Sequence, residues 1–314
     1  MPDEKKAALL QSVVKERAKE ASTADLTSKV AVQTTRITGI TILDRSMGGG
    51  LPSGSLVYIN ADPKSMAEVF MYQFTQARKS YYFSNERHPK YVLRDIQNYD
   101  FKPDNITFVD IYSAYYLTAQ GEMVDNIGNE FVDAKIVEFT ESNLKKIASD
   151  VEAGGDINII FDSFSFYLNL NVNPGVIKRL INVLYEVSKN LNCLTFLYGL
   201  KDTHEKNLEN EILKSCDVIF EIDLDKSGDK ISSRISIPKI RGKVATTEML
   251  KFRVGEGIQI DTTKDIASDH RIFSLNFLAA SFRASIPGSF SPARKSMQAP
   301  PPVLTCENLF DIPS

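Results

Sequence analysis

Residues 55–79 read SLVYINADPKSMAEVFMYQFTQARK. The opening SLVYI has the β-branched and aromatic character of a strand. The run from Met66 to Lys79 carries apolar residues at helical spacing. Strand, turn and helix in this order form the context of a phosphate-binding loop. Yet the turn, Ala61 to Ser65, has no glycine, and neither lysine nor Ser/Thr opens the helix. Ser65-Met66-Ala67-Glu68 reads instead as an S-x-x-E capping box. Ser65 is then expected to accept from the Glu68 amide, and Glu68 from the Ser65 amide. A helix N-terminus attracts anions because its first amides are unpaired, so this chain would supply its own.

Outward from this stretch, apolar strand-like runs alternate with helical ones. SYYFS is followed by a helix at 89–98, NITFVDI by one at 139–152, INIIFD by one at 174–190 and CLTFLYG by one at 205–214. Strands apolar on both faces and separated by helices imply a parallel sheet covered on each side. After CDVIFEI the runs RISIPKI, EMLKFRV and GIQID follow one another without helices, as antiparallel strands at a sheet edge do. The fold class is therefore α/β, with a mostly parallel central sheet flanked by helices and antiparallel edge strands near the C-terminal end. Residues 1–35 read as a helical arm and linker, 36–262 as the domain and 263–314, rich in Pro and Ser, as a flexible tail. The stretch 112–138 has no firm period and reads as an insertion with some helix.

The 314 residues carry a net charge of -3, which excludes a surface coated for nucleic-acid binding but leaves room for a local basic patch. No apolar run approaches a membrane span, and MPDEKKAALL lacks the apolar core of a secretory signal. With three cysteines at no metal-like spacing, a cytoplasmic protein is expected. His88 and His204 have no metal partners at useful spacing, and no Ser/His/Asp arrangement is identifiable.

The run TGITILDRSMGGGLPSGSLVYI, 38–59, resembles the opening of RecA-superfamily ATPases of the KaiC and RadA type, archaeal KaiC-like proteins in particular. Thr38, Gly39, Asp44, Gly48, Gly49, Gly50, Pro52 and Gly54 carry the likeness. Further landmarks follow in family order. In SYYFSNERHP, Glu86 takes the place of the glutamate that polarises the attacking water. In INIIFDS, Asp162 takes the Walker B magnesium-water position. In IPKIRGK, Lys239 and Arg241 fall where the family reaches a neighbouring subunit's nucleotide. The likeness fails at the loop. The pattern Gly-x-x-x-x-Gly-Lys-Ser/Thr lies on Ala61, Asp62, Pro63, Lys64, Ser65, Met66, Ala67 and Glu68. Ala61 and Met66 stand for the glycines, Ala67 for the lysine and Glu68 for the hydroxyl that binds magnesium.

The resemblance implies a RecA-like protein, and the altered loop a catalytically inactive one: a pseudo-ATPase acting as a regulatory, scaffolding or assembly module. No cofactor is expected, ATP with magnesium being the minority alternative. The expected partner is a protein, in a homo- or hetero-oligomer of RecA-like subunits. Two rivals stand beside this reading. One is an ATPase or nucleotide sensor with a non-standard loop using Lys64, Asp162 and Glu86. The other is a RadA-like accessory protein that binds DNA through KIRGK and scattered basic residues.

Overall fold

The structure, a computed structural model, describes residues 34–152, 155–227, 230–244 and 248–261. The readings of the N-terminal arm before residue 34 and of the tail lie outside these residues.

The chain begins with β1 (Thr35–Arg36), α1 (Thr41–Ser46) and β2 (Leu51–Pro52), the two strands pairing antiparallel. Then come β3 (Leu56–Ala61), α2 (Glu68–Phe74), β4 (Lys79–Ser84), α3 (Pro89–Asn98), β5 (Ile106–Asp110), α4 (Ile111–Tyr116) and α5 (Glu130–Asp150). They are followed by β6 (Ile157–Asp162), α6 (Ser165–Leu168), α7 (Pro174–Leu191), β7 (Leu194–Leu200) and α8 (Lys206–Ser215). The strands β8 (Val218–Ser227), β9 (Lys230–Ile240), β10 (Leu250–Gly255) and β11 (Gly257–Ile260) close the order.

The main sheet runs β11-β10-β9-β8-β3-β7-β6-β4-β5. The six strands from β8 to β5 are mutually parallel, and β9, β10 and β11 extend the β8 side antiparallel. Every residue of β3 and β6 is buried, the signature of central strands covered on both faces. Strand alternation sorts β3 between two cores. Val57, Ile59 and Ala61 join α2 on one face, while Leu56 and Tyr58 join α5 and α7 on the other. On the α2 face Phe74 stacks on Phe196 at 4.1 Å, and Phe70 meets Phe252 edge-on at 5.0 Å.

The helices at 89–98 and 174–191 begin where caps and prolines place them. His88 Nδ1 and the Asn173 side chain accept the first amides, ahead of Pro89 and Pro174. Two boundaries differ from expectation. Helix α5 starts at Glu130 under an Asn129 cap, inside the stretch taken as an insertion; Phe131 and Phe139 are exposed and blur its apolar period. Helix α2 spans only 68–74, because the chain turns at Thr75, whose hydroxyl donates to the Tyr72 carbonyl at 2.6 Å. Among the described residues no helix is long and apolar enough to cross a membrane.

The glycine run that precedes β3 has a steric cause. Gly50 sits at φ +121, and a Cβ there would lie 2.4 Å from the Arg36 carbonyl oxygen, where β1 and β2 pair. Gly50→Ala should therefore destabilise the protein by about 2 kcal/mol or more, combining backbone strain with overpacking. Urea denaturation checks this, and a midpoint equal to the parent's would refute it.

Candidate functional site

The carboxyl ends of β3, β4 and β6 converge with the start of α2 and the loop before α3. This is the place where the sequence locates its candidate residues. The loop from Ala61 to Glu68 has its polar groups turned inward. Ala61 is the buried last residue of β3, and its carbonyl accepts from the Lys201 amide at 2.9 Å. The Asp62 amide donates to Ile222 O at 3.0 Å, and its carboxylate accepts from the Lys64 amide at 2.8 Å. The Ser65 hydroxyl donates to the Asp62 carbonyl at 2.6 Å. Pro63 and Lys64 are exposed, and Met66 takes a left-handed φ of +56. Glycine takes that backbone without strain, so the chain keeps the turn with a residue that fits it poorly.

The capping box does not form. Helix α2 begins at Glu68, its N-cap is Ala67 in helical conformation, and no side chain caps it. Ser65 lies two positions before the N-cap, and its hydroxyl is engaged in the turn with the Asp62 carbonyl. Glu68 is half-buried. Its pKa is raised above the ordinary glutamate value, first by burial and then by the charge of Asp162.

Asp162 ends β6 and is itself buried. Its Oδ2 accepts from the Tyr82 hydroxyl at 2.7 Å and from Arg87 Nη2 at 3.0 Å. Arg87 also donates to the Tyr72 hydroxyl at 2.7 Å and, through Nη1, to Asp95 Oδ2 at 2.9 Å. One guanidinium thus ties β6 to α2 and α3. Burial opposes the Arg87 charge, but Asp162 together with the Tyr72 and Tyr82 phenols outweighs it and its pKa is raised. Burial, and after it Asp162, raises the Tyr72 phenol. Glu86 accepts from the Ser163 hydroxyl at 2.8 Å. Asn85 fixes Ser163 from both sides, accepting from its amide at 2.7 Å and donating to its carbonyl at 2.8 Å. The Glu86 pKa is raised by burial, against the pull of the Ser163 hydroxyl.

Lys239 and Arg241 lie away from this cluster. They follow β8 on an interior strand, not on the sheet edge, which is β11. Lys239 Nζ donates to Leu213 O at 2.6 Å, and Arg241 donates to the carbonyls of Lys214, Ser215 and Cys216 while pairing with Asp217. Both heads cap the C-terminus of α8, where cations meet unpaired carbonyls. Lys243 likewise donates to Met47 O and Gly50 O.

The structure therefore brings together Glu68, Glu86 and Asp162, and sets Lys239 and Arg241 apart. Arg87, Tyr72, Tyr82 and Asp95 escaped the sequence reading. Arg87 stands beside Glu86, but its partners lie 8, 15 and 75 positions away and nothing local announces them. Among the described residues, no group of three or more His, Cys, Asp or Glu is placed to hold a metal ion.

A model of the family of unknown function DUF7125 matches residues 35–267. A UPF0273 protein from Methanopyrus kandleri is 22% identical over 242 residues, covering 72% of this chain and 92% of its own. Two solved archaeal structures share the fold. A KaiC-like protein from Pyrococcus horikoshii aligns with TM-score 0.56 at 14% identity, over 73% of this chain and 100% of that one. The flagellar accessory protein FlaH from Methanocaldococcus jannaschii aligns with TM-score 0.55 at 15% identity, over 74% of this chain and 100% of that one. The expected RecA-like, KaiC-like fold is the one the chain adopts.

Two substitutions probe the cluster. Arg87→Met leaves Asp162 buried with Tyr82 alone; since Arg87 is itself 37% exposed, solvent moderates the loss to about 1–3 kcal/mol. Arg87→Lys should recover little, because one ammonium cannot reproduce the fork. Unchanged melting of both variants would refute the bridging role. Glu68→Gln acts in the opposite sense. A carboxyl whose folded pKa is raised destabilises the fold above that pKa, and the effect vanishes below its unfolded value, about 4.3. The variant should therefore melt higher than the parent at pH 8 and match it near pH 4.

Proposed function

The chain belongs to the DUF7125 family, and from that premise we propose that it is a RecA-like pseudo-ATPase, a regulatory or assembly module that does not turn over ATP. One observation carries the reading: the Arg87 guanidinium sits on the carboxylate, Asp162, at which the fold's ATPases hold a magnesium-bound water. A side chain already supplies the cation there. Around it the requirements of a magnesium–triphosphate are not met. Ala67 has no ammonium, and the Ser65 hydroxyl is committed to Asp62 O. Glu68 brings a negative charge toward the place of the phosphates. Two unit charges about 4 Å apart at an effective dielectric near 20 repel by about 4 kcal/mol. Glu86, the residue matching the family's general base, holds Ser163. The residues present do not fit the cofactor, and no hydrolytic step is derived through it.

Protein partners are part of this proposal. A RecA-like frame without turnover retains surfaces for assembly with other RecA-like subunits. The Lys239 and Arg241 heads are engaged within their own chain, so a trans role toward a neighbour's nucleotide would require them to leave the α8 carbonyls. The reading as a nucleotide sensor draws support from one feature, the left-handed turn retained at Met66 beside the exposed Lys64.

Purified protein should show no ATP hydrolysis above background and no thermal stabilisation by millimolar ATP with magnesium. Hydrolysis abolished by Asp162→Asn would overturn the proposal. Stabilisation by ATP, lost in Lys64→Ala, would favour the sensor.

A further inference from the structure

We propose that the cleft between α2 and α3 binds a primary alkylammonium group. The cleft has a volume of about 190 Å³ and is lined by Glu68, Tyr72, Arg87, Asp95, Asn98 and Tyr99. At roughly 30 Å³ per water it has room for about six water-sized groups, which accommodates an aminobutyl chain.

Charge selects the guest. Glu68 and Asp95 line the cleft beside a single guanidinium, Arg87, which is also bonded to the buried Asp162 behind it, so the lining carries a net negative charge. Arg87 serves Asp95 Oδ2, Asp162 and Tyr72. The second Asp95 oxygen is approached only by the exposed Arg94, at 4.0 Å. Glu68 forms no ion pair among the described residues, and its pKa is raised, first by burial and then by the charge of Asp162. An anionic guest would face Glu68 and Asp95, so the vacant role is cationic.

The walls select an organic cation over a metal ion. The cleft offers two carboxylates, and no set of three acidic, histidine or cysteine side chains is placed for a metal among the described residues. Tyr72 and Tyr99, with ring centroids 6.3 Å apart, line it instead, and aromatic walls favour weakly hydrated ammonium groups. An ammonium has three donors, which match Glu68, the second Asp95 oxygen and the Asn98 amide carbonyl or a tyrosine oxygen. The same chemistry arrives on a free diamine or on a lysine side chain offered by a partner protein.

The inference needs the Arg87 bridge but not the absence of hydrolysis, so amine binding and ATP turnover test separate claims. Calorimetric titration of the full chain at pH 8 uses putrescine, Nα-acetyl-lysine methylamide, the neutral isostere n-butanol, and magnesium chloride. Saturable binding of an amine at millimolar concentration or below is expected, with no binding of butanol. Glu68→Gln should weaken the amine about tenfold, as loss of a charge-assisted hydrogen bond does. Tyr99→Leu should weaken it by a smaller factor. Putrescine binding alone identifies a free diamine, and binding of the lysine derivative identifies a side-chain guest; either supports the site. The proposal is overturned if neither amine saturates, if butanol binds as well, if magnesium chloride competes at equal concentration, or if Glu68→Gln binds like the parent. Because Glu68→Gln removes a destabilising charge, the variant tests binding without unfolding the protein.

Discussion

The arrangement around the sheet's carboxyl edge depends on a single guanidinium. Arg87 draws its three partners from three elements: Asp162 from β6, Tyr72 from α2 and Asp95 from α3. Without it, Asp162 would be a buried carboxylate with one phenolic donor, Tyr82. A buried charge lacking its partner costs far more than a surface one, so the positions of α2 and α3 against the sheet are coupled to that contact. The neighbouring Asn85–Ser163 pair serves the same end by fixing the backbone that follows Asp162.

The loop between β3 and α2 separates geometry from chemistry. The turn is preserved down to a left-handed Met66, yet its carbonyls and hydroxyl are satisfied by Asp62, Lys64, Ser65 and Lys201 rather than pointed at a guest. Turn geometry follows from how a central parallel strand must hand the chain to the helix that covers it. Phosphate chemistry needs particular side chains as well. Ala67 and Glu68 bring neither the ammonium nor the hydroxyl of that chemistry, so a fold can be kept where the side chains of its family's site differ within eight residues.

What could be read in the sequence was what is local or periodic. The order of strands and the antiparallel extension of the sheet follow from runs such as INIIFD and RISIPKI, whose residues lie where their spacing implies. The helix at Pro89–Asn98 was legible because its proline and apolar period agree. The capping box was not, because the motif carries no information on which residue starts the helix, and the chain's turn consumed Ser65 first. Lys239 and Arg241 matched a family position but gave no sign that α8 would end beneath them. Arg87 was hidden most completely: its charge was visible, but its meaning lies in Asp95 and Asp162, which only the assembled sheet brings within 3.0 Å.

A tethered cation differs from a bound one in a way that constrains regulation. A metal ion that arrives and leaves with its nucleotide gives a site two states of charge, and a RecA-like machine uses the difference. The guanidinium of Arg87 cannot dissociate from the chain, and its pKa is raised further by Asp162, so it does not lose its proton either. The Asp162 side of the site is thereby held in one electrostatic state. Variable charge remains on the opposite side of Arg87, at Glu68, where a carboxylate lies half-buried without a cation. A positive charge supplied to Glu68 and Asp95 from the α2–α3 cleft would change the charge on that side. Arg87 lines the cleft itself, so a charge bound there acts on the Arg87–Asp162 pair directly as well as through Asp95 and Tyr72, which share the guanidinium.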